Sequence, residues 1–333
     1  MNGPTAFVFP GQGSQFPGMG RELARFGPAA RDLVARAEDV TGLPVGSLMT
    51  EADADTLADP EYAQVLVFVW SLAALHRLRD KGLAPSAVAG HSLGEYTALT
   101  ACGSLDPDTA LLLVSCRGRA MSTAARQTAG TMAAIVGLPP DTVRRLCQEA
   151  CDDTGFAVVA NLNSPRQTVV SGTVTAVQRV VDAARDAGAL RARRLPVGGA
   201  YHSPLMAGAP LELMGKLAEA RLAPPRVPLV SSATGHLVSD IEEYREVLFA
   251  QILRPVRWQE AVHTLLGLGV RTFVEAGPGR VLSGLGREMA REARHLSVLE
   301  ALGATPPPTA VPASPAGPPT AQDHLTSKAR KST

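Results

Sequence analysis

The chain has 333 residues, a formal net charge of +1 and a hydrophobic content of 45%. This length corresponds to one large domain or two small ones, and the apolar residues are sufficient for a buried core. The near-neutral charge and an aromatic content of only 4% argue against binding to nucleic acid or to an anionic membrane. Nucleic acids and anionic membranes attract clustered positive charge, and single-stranded nucleic acids are also bound through stacked rings.

The cysteines and the N-terminal region indicate a reducing environment and no metal. The four cysteines lack paired C-x-x-C spacing, so we expect reduced, apolar side chains at Cys102, Cys116, Cys147 and Cys151. The N-terminus leads into the apolar segment 6–9 without a basic region or a cleavage site. The longest apolar stretch, residues 65–75, is too short to span a bilayer. We therefore predict a cytoplasmic protein with no bound cofactor and no membrane contact.

The first third of the chain alternates between short apolar runs and helical patterns. Residues 6–9 predict a buried strand, and the glycine loop 10–15 follows it. This loop is not the dinucleotide-binding pattern G-x-G-x-x-G, because Phe16 stands where the third glycine is needed. Helices are then predicted at residues 29–41, 63–81 and 107–119.

Residues 90–94, Gly-His-Ser-Leu-Gly, have the G-x-S-x-G form of a nucleophile elbow. An elbow is a sharp turn from a strand into a helix that exposes a serine hydroxyl. The flanking sequence fits, since residues 87–89 resemble the end of a buried strand and residues 95–99 the first turn of a helix. Glycines relieve the crowding of such a turn, and the free amides of the helix N-terminus can stabilise an oxyanion. Ser92 is therefore a candidate nucleophile.

Residues 131–198 follow a different pattern from the rest of the chain. Their order, β-α-β-β-α-β, is that of a ferredoxin-like unit, which we predict to be inserted into a larger α/β domain. The strands are predicted at residues 131–138, 156–161, 167–171 and 190–197, and the helices at 139–150 and 174–187.

The last third returns to the larger domain and ends in a proline-rich segment. Strands are predicted at 227–231 and 271–275, and helices at 244–250 and 281–292. Seven prolines fall between Pro306 and Pro319, a composition that cannot build a core. The predicted organisation is an α/β-hydrolase-like domain with a parallel sheet (residues 1–128 and 199–302), the ferredoxin-like subdomain (129–198) and a disordered tail (303–333).

A serine nucleophile needs a base, and the chain offers seven histidines. His91 is rejected as the base, because neighbouring side chains on an elbow point apart. His202 is preferred, because it lies in the small-residue loop 198–204 that follows the last strand of the subdomain. A loop at a domain junction is a natural wall for a cleft.

Seven motifs occur in order along the chain: 10–15 (PGQGSQ), 90–96 (GHSLGEY), 117–121 (RGRAM), 161–165 (NLNSP), 201–206 (YHSPLM), 251–258 (QILRPVRW) and 275–279 (EAGPG). In these motifs the chain resembles the malonyl-CoA:acyl carrier protein transacylase family, which includes the acyltransferases of polyketide synthases. The resemblance extends over about residues 6–302 and leaves out only the tail.

The resemblance implies catalytic roles at matching positions. Ser92 would be the acylated nucleophile and His202 its base. The backbone amides of Gln12 and Leu93 would form the oxyanion hole, and a carbonyl of Gln251 would orient His202. A neutral orienting group makes a dyad rather than a triad, which suits an activated thioester better than an amide.

The resemblance also implies substrate-binding residues. Arg117 would bind the free carboxylate of a malonyl-type group, and a guanidinium matches a carboxylate with two parallel hydrogen bonds. Tyr201 stands where malonyl-specific relatives usually carry phenylalanine and methylmalonyl-specific ones serine, so its ring should crowd a substituent on the α-carbon. Its tyrosine departs from that pattern, which leaves an unusual extender unit open. His91 and Asn163 complete the predicted substrate-binding set.

Acyl transfer has three competitors. An acyl-thioester hydrolase of the same family would have no use for a carboxylate-binding arginine. An unrelated esterase would need an acid between Ser92 and a late histidine, and a non-catalytic docking module would not need Ser92, Arg117 and His202 together. We predict a monomeric transferase that uses malonyl-CoA and an acyl carrier protein with its phosphopantetheine arm, in fatty-acid or polyketide synthesis, with the proline-rich tail favouring the latter.

Acyl carrier proteins are generally acidic, so a basic docking surface is expected. Arg191, Arg193 and Arg194 crowd the last predicted strand of the subdomain. Since side chains alternate along a strand, Arg191 and Arg193 should share one face and Arg194 should lie on the other. The alternative is an exposed edge strand that its charges protect from aggregation.

Overall fold

The computed structural model describes residues 3–303, and of residues 210–212 it describes the backbone alone. Within that range, nine strands form two separate sheets. In chain order they are β1 (Thr5–Phe9), β2 (Ala87–Gly90), β3 (Thr131–Val136), β4 (Ala157–Ser164), β5 (Gln167–Gly172), β6 (Arg191–Arg194), β7 (Leu229–Ser231), β8 (Thr272–Glu275) and β9 (Arg294–Ser297).

The larger sheet is parallel throughout, in the order β7-β2-β1-β8-β9. Every residue of β1, β2 and β8 is buried, as expected for a parallel sheet that helices cover on both faces. The sequence predicts four of its strands. It misses β9, whose four residues include a single aliphatic side chain, Leu296, and therefore lack the apolar run of a buried strand.

Helices cover both sheets, and those at residues 140–149 and 174–186 belong to the subdomain, while the others build the rest of the large domain. They are α1 (Met19–Leu23), α2 (Pro28–Thr41), α3 (Val45–Glu51), α4 (Ala54–Ala58), α5 (Pro60–Asp80), α6 (Gly94–Ala101), α7 (Pro107–Gln127), α8 (Pro140–Glu149), α9 (Val174–Asp186), α10 (Ala209–Glu219), α11 (Ile241–Ala250), α12 (Trp258–Gly267), α13 (Val281–Met289) and α14 (Val298–Ala301). Single 3-10 turns span Ala24–Phe26, Pro204–Met206 and Gln251–Leu253.

Two long helices, α5 and α7, pack together in the middle of the large domain. Each begins with a proline in the first turn after an aspartate whose side chain accepts a backbone N–H, Asp59 for α5 and Asp106 for α7. An aspartate cap followed by proline favours a helix start, because it satisfies a free donor and fixes φ. The run from Ala63 to Leu75 in α5 is buried on every side, which agrees with its apolar sequence.

The smaller sheet is antiparallel, in the order β4-β5-β3-β6, and it confirms the predicted ferredoxin-like subdomain. Helices α8 and α9 cover one face, where Ala133, Ile135 and Ala192 pack with them in a core of their own. The opposite face carries Met132 and Val169, which belong to the core of the large domain. This second face therefore looks toward the large domain.

Three sequence expectations have different outcomes. The predicted disordered tail lies, from residue 304 onward, outside the described residues. No helix between residues 3 and 303 is long and apolar enough to cross a membrane. Cys151 is exposed, contrary to the expectation of an apolar interior position, because it follows the last turn of α8 at the surface.

Candidate active site

Ser92 lies at the turn between β2 and α6, where the sequence predicts the elbow. Its φ angle is +52°, a left-handed conformation that costs energy for any residue with a β-carbon. The flanking glycines are required by close contacts. A Cβ on Gly90 would come within 2.0 Å of the Gly94 carbonyl carbon, and a Cβ on Gly94 within 2.1 Å of the Phe9 carbonyl oxygen. Glycine is therefore required at positions 90 and 94, because any larger residue there would clash with the backbone of the turn that holds Ser92.

His202 is the histidine that contacts Ser92, the predicted nucleophile. Its Nε2 lies 2.8 Å from Ser92 Oγ, and its own φ angle is +56°. Its Nδ1 lies 2.9 Å from the backbone carbonyl oxygen of Gln251 and 3.0 Å from that of Arg254. Because carbonyls only accept, Nδ1 carries the proton and Nε2 is left to accept the serine proton. The expected neutral orienting group is present, and Arg254 adds a second carbonyl that the sequence does not predict.

The environment of His202 keeps the imidazole uncharged. Burial, and after it the positive charge of the nearby Arg117, lower the pKa of His202 to about 3, although the two carbonyl hydrogen bonds act in the opposite direction. The imidazole is therefore neutral at neutral pH, and its Nε2 has a free lone pair toward the serine hydroxyl.

Arg117, in the middle of α7, is buried and reaches the nucleophile. Its Nη2 donates to Ser92 Oγ at 3.0 Å and to Gln251 Oε1 at 3.2 Å, and its Nη1 donates to Gln64 Oε1 at 2.7 Å. The Gln251 amide in turn donates to the carbonyl oxygen of Ser92 at 3.2 Å. The guanidinium therefore lies in the same network as the serine and the turn that orients the histidine.

All of these partners of Arg117 are uncharged. Among the side chains that the structure describes, it forms no ion pair, and its Nε has no hydrogen-bond partner. Its guanidinium carbon lies 5.9 Å from the centroid of the Tyr96 ring. A guanidinium that is only 1% exposed and has no counter-ion favours an anionic ligand beside it, because an unpaired buried charge is costly.

The loop after β1 lies directly against the elbow. β1 and β2 are adjacent parallel strands, so their carboxyl ends meet. A Cβ on Gly11 would come within 2.5 Å of the His91 carbonyl oxygen. Gln12 follows in this loop, and its side chain bonds to the Ala58 carbonyl oxygen at 3.3 Å. Leu93 is buried at the N-cap of α6. The two predicted oxyanion-hole residues are thus in neighbouring loops.

The remaining predicted substrate residues lie around this centre. His91 Nε2 is 2.9 Å from Asn163 Oδ1, and Asn163 Nδ2 donates to Gln167 Oε1 at 2.9 Å. His91 also faces the Trp258 ring. Tyr201, next to His202, is buried beside Gln12, and burial raises the pKa of its hydroxyl.

A second polar network supports the elbow, and sequence reasoning missed it. The buried carboxyl group of Glu95 accepts from Ser231 Oγ at 3.2 Å, from the backbone and hydroxyl of Ser232 at 2.5 and 2.7 Å, from the Ala233 amide at 3.0 Å and from the Tyr244 hydroxyl. Ser232 Oγ also accepts the backbone N–H of Ser92 at 3.3 Å. Glu95 therefore ties the elbow to β7 and to α11, the helix that leads into Gln251.

Gln64 is the other contributor that the sequence did not reveal. It is a fully buried glutamine that opens the apolar run of α5, and that exception to the pattern is the signal that could have found it. Its side-chain Nε2 lies 3.2 Å from the sulfur of Met121, and its Oε1 accepts a hydrogen bond from Arg117.

The chain is similar to known proteins over most of its length. The family model described as an acyl transferase domain matches residues 6–313. The malonyl CoA-acyl carrier protein transacylase of Bacillus subtilis is 38% identical over 293 residues, which are 88% of this chain and 92% of the relative. The solved structure of the same enzyme from Coxiella burnetii superposes with a TM-score of 0.85 at 32% identity, covering 90% of this chain and 96% of that one.

A further solved structure contains a malonyl-transacylase bound to its type II polyketide acyl carrier protein. It superposes with a TM-score of 0.84 at 35% identity and covers 90% of this chain and 99% of that one. The elbow, the histidine and the buried arginine lie within the matched region, and the chain belongs to the acyl transferase family.

Proposed function

We propose that this enzyme transfers a malonyl group from malonyl-CoA to the phosphopantetheine thiol of an acyl carrier protein, through an acyl-Ser92 intermediate. The observation that carries the proposal is the unpaired guanidinium of Arg117, 3.0 Å from the hydroxyl of Ser92. A malonyl thioester has its free carboxylate two bonds beyond the reacting carbonyl. Arg117 can therefore hold the carboxylate while Ser92 attacks the carbonyl.

In the first half-reaction, His202 Nε2 takes the proton of Ser92 Oγ as the oxygen attacks the thioester carbonyl. The tetrahedral oxyanion accepts hydrogen bonds from the backbone amides of Gln12 and Leu93. The carbon–sulfur bond then breaks, and the imidazolium gives its proton to the departing CoA thiolate. The product is a malonyl ester on Ser92, with His202 neutral again.

The second half-reaction runs the same steps with a new nucleophile. His202 takes the proton of the phosphopantetheine thiol, and the thiolate attacks the ester carbonyl. Collapse of the oxyanion returns the proton from His202 to Ser92 Oγ. Because the buried His202 remains neutral at neutral pH, it can accept a proton at the start of both steps.

Several finer assignments belong to the same proposal. One chain supplies Ser92, His202, Arg117 and Gln251, so a monomer is sufficient for catalysis. Free thiols at Cys102 and Cys147 suit the reducing cytoplasm. The buried ring of Tyr201 beside His202 favours malonyl over α-substituted units. The pathway served is fatty-acid or polyketide synthesis, as in the relatives.

Labelled malonyl-CoA tests the proposal. Wild-type enzyme should carry label on Ser92 and pass it to a phosphopantetheinylated carrier protein, whereas Ser92→Ala should acquire none. His202→Ala should acylate about a hundredfold more slowly, the usual effect of a positioned base. Label on the Ser92→Ala protein would refute the nucleophile. Release of free malonate alone would identify a hydrolase instead.

A further inference from the structure

Ser232 lies beside the elbow because of the register of the parallel sheet. β7 pairs with β2, and its last residue, Ser231, is opposite Gly90, the last residue of β2. The carboxyl ends of neighbouring parallel strands lie side by side, so the residue after β7 lies next to the start of the elbow. Ser232 is completely buried, and its carbonyl oxygen accepts the backbone N–H of Arg257 at 2.6 Å. Its position is therefore fixed by the sheet and by the segment that leads into α12.

The Ser232 hydroxyl can form its two hydrogen bonds in one direction only. Glu95 Oε1 faces the backbone N–H groups of Ser232 and Ala233, at 2.5 and 3.0 Å, so this oxygen is an acceptor. The Ser232 hydroxyl, 2.7 Å from the same oxygen, must therefore donate its one proton to Glu95. The lone pairs of the hydroxyl remain, and one of them accepts the backbone N–H of Ser92 at 3.3 Å. A chain of hydrogen bonds thus runs from Ser92 to a buried carboxyl group.

Both backbone groups of Ser92 are held by hydrogen bonds. Among the described residues no backbone carbonyl accepts its N–H, so Ser232 is the partner of that group. Its carbonyl oxygen accepts from the Gln251 side chain at 3.2 Å and from the Glu95 N–H at 3.0 Å. The peptide groups on either side of a Cα define φ and ψ, and these angles set the direction of the Cα–Cβ bond. The contacts therefore fix the direction in which Ser92 Oγ projects.

The conformation of Ser92 needs such support. Its φ angle of +52° is left-handed, and this conformation is disfavoured for a residue with a β-carbon by an energy similar to the net contribution of one hydrogen bond. Without the Ser232 hydroxyl, the peptide group between His91 and Ser92 would lose its acceptor and would be free to turn toward a negative φ. Such a turn would carry Ser92 Oγ away from His202 Nε2, which lies 2.8 Å from it.

We propose that Ser232, oriented by Glu95, is a positioning residue for the nucleophile: it holds the left-handed backbone of Ser92 so that Oγ stays in hydrogen-bond contact with His202. Ser232 acts through Ser92 and takes no part in proton transfer. The inference rests on the proposed transfer reaction, in which His202 takes the proton of Ser92. Loss of the Ser232 hydroxyl should therefore slow acylation without changing the affinity for malonyl-CoA.

Single-turnover acylation by an excess of labelled malonyl-CoA tests this role. For Ser232→Ala we expect a maximal rate about tenfold lower, roughly the effect of one hydrogen bond on a barrier, at an unchanged half-saturating concentration. The final label should equal that of the wild type, because misfolded protein would lower this end point and not the rate. Ser283→Ala is the matched control, since Ser283 is another buried serine beside a buried carboxyl group, that of Glu275. It should react at the wild-type rate.

The His202→Ala background separates positioning from a general structural role. If Ser232 serves to bring Ser92 to its base, adding Ser232→Ala to His202→Ala should slow acylation by less than about twofold, because residues that act as a unit have non-additive effects. An equal loss in both backgrounds would overturn the inference and assign Ser232 to the fold. A wild-type maximal rate for Ser232→Ala would overturn it as well.

Phenylmethanesulfonyl fluoride distinguishes failure of this inference from failure of the transfer reaction. The reagent carries no carboxylate, and a serine activated by a base forms a sulfonate ester with it as fluoride leaves. Its reaction with Ser92 should also be about tenfold slower in Ser232→Ala. If malonyl-CoA leaves wild-type Ser92 unlabelled while this difference persists, the transfer reaction is refuted and the positioning role stands. Equal rates of sulfonylation in the wild type and Ser232→Ala would refute the positioning role.

Discussion

Two ionisable side chains lie buried beside the nucleophile, and their surroundings differ sharply. Glu95, three residues after Ser92, accepts five hydrogen bonds from hydroxyls and backbone amides. Arg117 is equally buried, yet its partners are neutral oxygens and its Nε has none. The protein satisfies the hydrogen-bonding groups of the Glu95 carboxyl, whereas the Arg117 guanidinium has neither a counter-ion nor a partner for its Nε.

The difference separates a structural ionisable group from a ligand-binding one. A buried polar group whose hydrogen bonds are all made holds its neighbours in place and offers nothing to a substrate. A buried cation with neutral partners gains most when an anion arrives. Burial lowers the pKa of the Arg117 guanidinium, in keeping with a site that lacks its counter-ion until a malonyl carboxylate binds.

The largest effect is expected for Arg117→Ala, which tests whether Arg117 binds the acyl group. Malonyl transfer should lose roughly 2–5 kcal/mol of transition-state binding, as for other truncated charge pairs, and the ratio of acetyl to malonyl transfer should rise. Competition between acetyl-CoA and malonyl-CoA measures that ratio. Arg119→Ala is the matched control, since Arg119 lies exposed on the same helix. An unchanged ratio would remove Arg117 from the acyl pocket.

Glu95→Gln should show the opposite behaviour. The glutamine amide would keep one oxygen, and its nitrogen would oppose the donors either of Ser232 and Ala233 or of Tyr244, so the free energy of unfolding should fall by about 1–3 kcal/mol. The preference for malonyl over acetyl should stay as in the wild type. Chemical denaturation measures the first quantity, and Glu246→Gln, on the exposed side of α11, controls for charge. Changed selectivity with unchanged stability would reverse the roles of the two groups.

The smallest expected effect is on the pH dependence of acylation, which tests whether the charge of Arg117 acts on His202. Because the pKa of His202 is about 3, the base stays neutral and the wild-type rate should be constant from pH 8 down to about pH 5. The positive charge of Arg117 contributes to that low pKa, so Arg117→Gln should raise it. Single-turnover acylation of this variant should then begin to fall at a higher pH. A wild-type rate that already falls near pH 6.5 would show an unshifted histidine.

Features of the fold and the site that depend on residues close together in the sequence could be predicted. The elbow at Ser92 needs glycines at fixed positions, and the contacts at Gly90 and Gly94 show why. The pattern of apolar residues predicts the strands of both sheets except β9, and it predicts the insertion of the subdomain. Arg117 stands out as a charge within an apolar helix, whereas the role of the Gln251 carbonyl follows only from the family resemblance.

Contacts between distant segments escape such reasoning. Gln64 meets Arg117 across 53 residues, and Tyr244 meets Glu95 across 149. No local sequence pattern predicts either pair, because these polar atoms find their hydrogen-bond partners only when the tertiary fold brings the helices together. The side chain of Gln251, which contacts both Arg117 and the Ser92 backbone, escapes for the same reason.

Ser92 and His202 share a backbone property that, among the residues from 3 to 303, no other non-glycine residue has: a positive φ. Positions of this kind cost of order 1–3 kcal/mol each, a sizeable share of the few kcal/mol by which a domain is stable. Substitutions selected for stability alone would therefore tend to replace Ser92 and His202, the proposed nucleophile and base, with glycine. A thermostability screen on this enzyme would have to hold both positions fixed.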